Sequence, residues 1–292
     1  AIESLLHQSY RDFELIISDN ASTDETMQIC LEYAGRDPRI QYHRNPENIG
    51  AADNFNRVFK LSKGEFFKWA AADDVVESTY CEKCIDFLDT HPSCILCYSK
   101  VSEINHDNKV ERVYDIPLRL NAKEPSIRFS EFILIPHYFI SIFGVMRREI
   151  LGHTSLIGKY EGSDRVLIAE FCLKGQINEI PEYLFYRRDH PGCSIRKYDE
   201  RFRLEWYDPT KRNHLNLMYF RIVYEYFRLV MRTRLRWKER VECNKAIVYW
   251  LIQNRRSLIE DIRVIIVYLF PYADVIIKQI LQFLKDQKML EK

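Results

Sequence analysis

The chain has 292 residues, with 43 Lys and Arg against 42 Asp and Glu, a formal net charge of +1 and 47% hydrophobic residues. That length holds one large domain with an appendage or two modest ones, and that composition excludes a disordered chain. Balanced charge argues against nucleic-acid packaging, and only 9 glycines weaken a dinucleotide-binding reading, which needs a glycine-rich phosphate loop.

Ile2, Leu5 and Leu6 recur at helical spacing, so residues 1–8 read as the tail of a helix. The apolar run from Phe13 to Ser18 predicts a buried strand, and Asp19-Asn20-Ala21-Ser22-Thr23-Asp24 predicts the loop at its carboxyl end. Ser22 and Glu25 have capping-box spacing ahead of a helix through Met27, Cys30, Leu31 and Ala34. A second strand over Arg39–His43 leads through Asn45-Pro46-Glu47-Asn48-Ile49-Gly50 into a helix carrying Phe55, Val58, Phe59 and Leu61. A third strand is expected over Glu65–Ala70, ending at Ala72-Asp73-Asp74, followed by a helix from about Ser78 to Thr90. Ile95–Tyr98 reads as a further strand, and Asn105–Lys109 as the turn of a hairpin. Asp164 opens a helix over Arg165–Lys174. Strands alternating with helices predict an α/β fold with a mostly parallel sheet flanked by helices.

After Gly192 the pattern becomes helical, with no clear strand from about Tyr198 to Lys292. Residues 219–240 interleave arginines with Tyr219, Phe220, Tyr224, Tyr226, Phe227 and Trp237. A long helix is expected from Leu258 through Leu284, with Ile262, Ile265, Ile266, Leu269, Ile276, Ile277 and Ile280 on it. Packing on the first domain and contact with a membrane surface would both use such a pattern. No window reaches the ~20 apolar residues of a spanning helix.

Eight cysteines in a chain this long do not make a disulfide scaffold. Cys81-x-x-Cys84 and Cys94-x-x-Cys97 resemble paired zinc knuckles, yet the stretch between them, Ile85–Ser93, is shorter than the usual ~15–20 residues. Core packing of reduced thiols is the preferred reading, and with it a cytoplasmic protein; a peripheral place at the inner membrane face belongs to one of the two readings of the helical region.

Ligands of open α/β sheets bind beyond the carboxyl ends of the strands. Asp19, the Asp73-Asp74 pair and Asp164 stand at such places or in a comparable loop. Carboxylates there can accept hydrogen bonds from a ligand or hold a hard divalent cation. Each can equally cap a helix or an Asx turn.

These residues carry a resemblance. Residues 13–24 are similar to the nucleotide-binding segment of family 2 glycosyltransferases, which have the GT-A fold, and residues 45–50 resemble that family's following Asn-x-Gly loop. Lys68–Asp74 resembles its Asp-x-Asp metal motif, with Ala71 where many relatives are acidic. Gly162-Ser163-Asp164-Arg165 stands where the family has its catalytic acidic residue, and residues 186–192 resemble its Arg-x-His element. The motifs run in family order over residues 1–196. Because the family begins with an earlier strand and loop, the chain is read as amino-terminally truncated.

The resemblance implies a catalytic domain over residues 1–197 and a helical region over 198–292, which contacts a membrane in one of the two readings above. It implies an inverting transferase that moves a sugar from a nucleotide-diphosphate donor, a UDP-sugar by expectation, to a hydroxyl of a glycan or lipid-linked acceptor in polysaccharide assembly. Asp164 would be the general base. Asp19, Asn20, Asn48, Gly50, Asn54, Asp73 and Arg188 would contact substrate. Asp73, Asp74 and His190 would hold Mg²⁺ or Mn²⁺, while Arg187, Arg188 and Arg196 supply positive charge around the leaving diphosphate. No nucleic-acid partner is expected. The alternatives are a non-catalytic sugar-nucleotide binder or scaffold, and a nucleotidyltransferase.

Overall fold

The computed structural model describes residues 1–193, 200–212 and 214–270. Arg196 and the part of the expected last helix beyond Phe270 lie outside the described residues. So does the expected boundary at 197/198.

Two sheets carry the strands. Strands β1 (Leu15–Asp19) and β2 (Ile40–Arg44) pair in parallel, with helix α2 (Thr26–Arg36) crossing between them. The capping box is replaced by an Asx turn. Asp24 Oδ1 accepts the Thr26 N–H at 3.0 Å and its hydroxyl at 2.6 Å, so the helix begins at Thr26 and Ser22 is released to cap Asp19.

The second sheet runs in the order β3 (Phe66–Phe67), β7 (Val145–Arg147), β5 (Cys94–Ile104), β8 (Gln176–Arg188), β4 (Val75–Val76), with β6 (Val110–Tyr114) on the far end of β5. Its longest pairing, β5 with β8, is parallel, and the β3–β7, β5–β7, β5–β6 and β4–β8 pairings are antiparallel. The α/β fold therefore stands, but the sheet is mixed rather than mostly parallel. A parallel neighbour requires a long crossover. Here a turn at Asn105–Lys109 and the irregular run 68–74 reverse direction or leave the sheet without one.

The expected third strand is only two residues long because Trp69 turns inward. Its indole donates to the Phe55 carbonyl at 2.9 Å, and its ring meets Phe67 edge-on at 4.9 Å. Phe67 meets Phe59 at 5.4 Å, so helix α3 (Ala51–Leu61) is pinned against the end of the sheet. Residues 68–74 are thereby freed to form a loop bearing acidic side chains. Helix α4 (Tyr80–Thr90) buries Cys84 and Leu88 against β5, where Cys94 and Cys97 join the same core.

Helices α5 (Pro125–Leu134) and α7 (Ser163–Lys174) form the centre of the main core, with short α6 (Arg148–Gly152) at its edge. Past α8 (Glu200–Tyr207), helices α9 (Met218–Arg232) and α10 (Trp237–Gln253) insert Ile222, Tyr226, Leu229, Ile247 and Trp250 into that core. Helix α11 (Arg255–Leu269) follows, burying Asp261 alone, whose carboxylate accepts the Phe220 N–H at 2.9 Å.

Candidate functional site

A cleft of about 250 Å³ opens between the loop 71–74, the amino end of α7, the end of β8 and the last turn of α8. Asp73, Asp74, Asp164, Arg187 and Arg188 line it together with Phe55, Trp69, Trp206 and Tyr207.

Strand register brings the acidic loop to β8. Val75 lies opposite Tyr186, so Asp74 comes level with Arg187, and its Oδ1 reaches on to accept the Arg188 backbone N–H at 3.0 Å. Asp74 is 9% exposed, and burial, reinforced by the charge of Asp73, pushes its carboxyl up to about 6. Asp73 Oδ2 faces His190 Nε2 at 3.1 Å. Arg188 is occupied by the protein. Its Nε donates to the Asp73 carbonyl at 3.0 Å, Nη1 to the Asn105 carbonyl at 2.7 Å and Nη2 to Asn108 Oδ1 at 2.6 Å. It straps the β5–β6 turn to the acidic loop. Arg187 pairs with buried Glu103 at 2.9 Å and lies over the Tyr138 ring. Lys68 Nζ donates to the Trp69 carbonyl at 3.0 Å and sits over the rings of Tyr80 and Phe185; burial lowers its pKa.

Asp164 stands in the first turn of α7. The helix begins after Gly162, whose φ of +82° and close approach to Ile222 of α9 leave no room for a Cβ. Burial pushes the Asp164 carboxyl above the ordinary carboxylate range. The Arg165 backbone N–H and the Arg165 charge offset that rise only in part.

The first acidic position is built differently. Asp19 ends β1 with its side chain sealed from solvent, and register sets it opposite Arg44. It accepts from Arg44 Nη1 at 2.8 Å, the Tyr42 hydroxyl at 2.7 Å and the Ser22 N–H at 2.8 Å. Burial alone would raise its carboxyl; the hydrogen bonds from Tyr42 and Ser22, with the Arg44 charge, hold it below the ordinary value. Asp19 does not line the cleft.

Asn20, Asn48 and Asn54 join Asn45 in one polar network beside it. Asn20 Nδ2 donates to Asn48 Oδ1 at 2.8 Å, Asn45 Nδ2 donates to Asn20 Oδ1 and Asn54 Oδ1, and Asn54 Nδ2 donates to the Ser18 carbonyl. Asn48 also caps the Gly50 N–H at 2.9 Å. These amides knit the loop after β1 to the loop before α3. Gly50, at φ +84°, is backed by Pro209 Cδ and the Tyr207 carbonyl, both 2.6 Å from where a Cβ would stand.

Of the sequence-predicted residues, Asp73, Asp74, Asp164 and Arg188 thus share one cleft, and His190 reaches Asp73 at its edge. Asp19, Asn20, Asn48 and Asn54 do not line it. Among the described residues, no three His, Cys, Asp or Glu side chains converge on a single metal position. Sequence reasoning missed Arg44 and Tyr42, whose facing of Asp19 depends on strand register, and Asn45, the hub of the amide network. It also missed Trp206 and Tyr207, which reach the cleft only through the packing of α8 on α3.

A family model described as glycosyl transferase family 2 matches residues 1–154. An uncharacterised glycosyltransferase of Methanocaldococcus jannaschii is 23% identical over 257 residues, covering 86% of this chain and 78% of that protein. Among solved structures, Staphylococcus aureus TarS in complex with UDP superposes with a TM-score of 0.61 at 15% identity, covering 87% of this chain and 66% of that one. A mannosyltransferase of Pyrobaculum calidifontis in complex with GDP-Man and Mn²⁺ gives a TM-score of 0.55 at 14% identity, covering 97% and 75%. At these identities the structural likeness concerns the fold, which is that of GT-A glycosyltransferases.

Proposed function

The chain belongs to glycosyl transferase family 2, and from that premise we propose that it transfers a sugar from a nucleoside-diphosphate donor to a hydroxyl of a glycan or lipid-linked acceptor, with inversion at the anomeric carbon. One observation carries the reading. Asp73, Asp74, Asp164 and Arg188, far apart in the chain, line a single cleft. The catalytic unit would comprise residues 1–197, with the helical region 198–292 appended.

Asp164 would be the general base. A carboxyl raised by burial, against the weaker pull of Arg165, can take a hydroxyl proton as the acceptor oxygen attacks. The new glycosidic bond forms on the face opposite the departing diphosphate, which leaves with the electron pair of the broken C–O bond.

Asp73 and Asp74, with His190 at their edge, would hold Mg²⁺ or Mn²⁺. Two adjacent carboxylates, one of them pushed towards its neutral form, suit a cation that would keep both ionised. Mg²⁺ is usually held by one or two carboxylates plus substrate phosphates, so a missing third protein ligand is no obstacle. Bound there, the cation would offset charge developing on the leaving diphosphate.

Arg188 would act mainly by fixing the acidic loop, since three of its donor groups are committed to the protein. Asp19 would serve the nucleotide indirectly, by orienting Tyr42 and Arg44. Asn20, Asn48, Asn54 and Gly50 would shape the same side of the site through the loops they tie together. TarS was solved with UDP and the archaeal mannosyltransferase with GDP-Man and Mn²⁺, which supports a nucleotide-sugar donor and a divalent cation here. UDP-sugars are the first donors to test.

The test is release of UDP from UDP-sugars by the purified protein with Mn²⁺, compared between wild type and Asp164→Asn. A loss of ~10²–10⁴-fold in kcat with donor binding retained is the expected result. Full activity in Asp164→Asn would remove the assignment of the base.

A further inference from the structure

Helices α9, α10 and α11 each present an apolar stripe that no described residue covers. On α9 it consists of Phe220, Tyr224, Phe227 and Met231, spaced i, i+4, i+7, i+11 and 37–63% exposed. On α10 it consists of Trp237, Val241, Val248 and Ile252, 39–71% exposed. On α11 it consists of Ile259, Ile262, Ile266 and Leu269, 38–61% exposed. At 3.6 residues per turn, the α9 and α10 stripes lie on the side away from the residues those helices bury, Ile222, Tyr226 and Leu229 on α9 and Cys243, Ile247 and Trp250 on α10. They are not the inner faces of helices waiting to fold onto this core, because those inner faces are already buried in it.

Charge accompanies the stripes. Residues 218–270 hold eleven Lys and Arg against five Asp and Glu, while the whole chain is close to neutral. Arg221 and Arg228, both about half exposed, run in a column beside the α9 stripe and share the single carboxylate of Glu225. Arg236, 80% exposed next to Trp237, and Lys245, beside the α10 stripe, pair with Glu239 and Glu242, while Arg255, Arg256 and Arg263, the last paired with Glu260, flank the stripe of α11. No described helix is long and apolar enough to cross a membrane.

We propose that these helices lie on an anionic lipid surface, their apolar stripes entering the headgroup boundary and their arginines meeting lipid phosphates. The chemistry discriminates between occupants. A nucleic acid would engage the arginines but give Ile, Val and Met stripes no partner. A second copy of the chain would cover the stripes but bring like-charged arginine columns together. A bilayer interface accommodates both features.

Co-sedimentation of the full chain with vesicles tests it. Phosphatidylcholine vesicles containing about one-third phosphatidylglycerol should pellet the protein, pure phosphatidylcholine vesicles at least ~tenfold less, and high salt should weaken the binding. Tyr224→Ser/Met231→Ser on α9 and Val248→Ser/Ile252→Ser on α10 should each reduce pelleting by ~tenfold or more, with an unchanged melting curve and unchanged donor hydrolysis. The inference is overturned if neutral and anionic vesicles pellet the protein equally or not at all. It is also overturned if the serine variants bind like wild type, or if those substitutions instead abolish a dimer seen by light scattering or binding to a DNA duplex.

Discussion

The backbone N–H of Arg188 meets Asp74 Oδ1 at 3.0 Å, while the guanidinium of the same residue grips the Asp73 carbonyl and the β5–β6 turn. One residue at the end of β8 therefore sets both acidic side chains. The arrangement predicts that Arg188→Lys, which keeps the charge but loses the fork, weakens the hold on the loop. Affinity for Mn²⁺ in the presence of UDP should fall about 10–100-fold, the usual cost of losing a group that orients metal ligands, with little change in melting temperature. Isothermal titration calorimetry reads this directly; unchanged affinity would show that the loop holds its shape without the strap.

A buried carboxyl raised to about 6 destabilises the metal-free protein at neutral pH. The folded state binds the Asp74 proton more tightly than the unfolded chain, whose value is near 3.8. Its contribution to stability is thus full below pH ~4 and falls as pH rises towards 6. Asp74→Asn keeps an acceptor for the Arg188 N–H and removes the buried charge. It should stabilise the metal-free protein at pH 7 by about 1–2 kcal/mol, raising Tm by a few degrees, with the gain vanishing near pH 4. The same variant should lose the stabilisation that Mn²⁺ with UDP gives wild type. Thermal melts across pH with and without Mn²⁺ test both halves; a destabilised variant at pH 7 would contradict the burial argument.

Much of this molecule was legible because its signals are local. Apolar runs marked β1, β2 and the centre of β5, the Asn105–Lys109 turn marked the β5–β6 hairpin, and Asp164 marked the start of α7. What escaped was non-local. Strand β8 alternates weakly, and Pro181 interrupts it, so nothing in its own sequence announces the strand that brings Arg187 and Arg188 to the cleft. The grouping of Asp73 and Asp74 with Asp164 followed from topology, whereas the sealing of Asp19 by Arg44 and Tyr42 followed from a register that one sequence does not encode visibly. Trp206 and Tyr207 carry no local sign that they face a ligand rather than a core.

Asp19 and Arg44 form an unequal pair, one side chain sealed and the other 37% exposed. Replacing Arg44 by Met leaves a buried carboxylate with only Tyr42 and the Ser22 N–H. A destabilisation of about 1–3 kcal/mol at pH 7 is expected, since the uncompensated partner bears most of the cost. Because Asp19 is held below its ordinary pKa, its stabilisation is present above pH ~4 and is lost as pH falls through the folded value. The deficit of Arg44→Met should therefore shrink in acid, and Asp19→Asn/Arg44→Met should be less damaged than Arg44→Met alone. Denaturant unfolding of wild type and the two variants at pH 7 and pH 3.5 measures this; an equal deficit at both pH values would exclude charge as its origin.

Gly50 links the asparagine network to the wall of the cleft. At φ +84°, an alanine would be strained, and its Cβ would stand 2.6 Å from both Pro209 Cδ and the Tyr207 carbonyl. Backbone cannot yield as a flexible side-chain end does, so the segment Tyr207–Pro209 must move away from α3. Gly50→Ala should cost about 2 kcal/mol or more in stability, from the left-handed conformation and the clash together. It should also displace Tyr207, which lines the cleft together with Asp74 and Asp164. Turnover should then fall through a several-fold rise in KM, while Asp164, carried by α7, keeps its place. A compensating Pro209→Ala, which removes the Cδ contact but not the strain, should recover part of the stability and part of the KM. If Gly50→Ala instead destabilises the protein and leaves KM untouched, the cleft wall is independent of the loop beneath it, and the asparagine network serves folding alone.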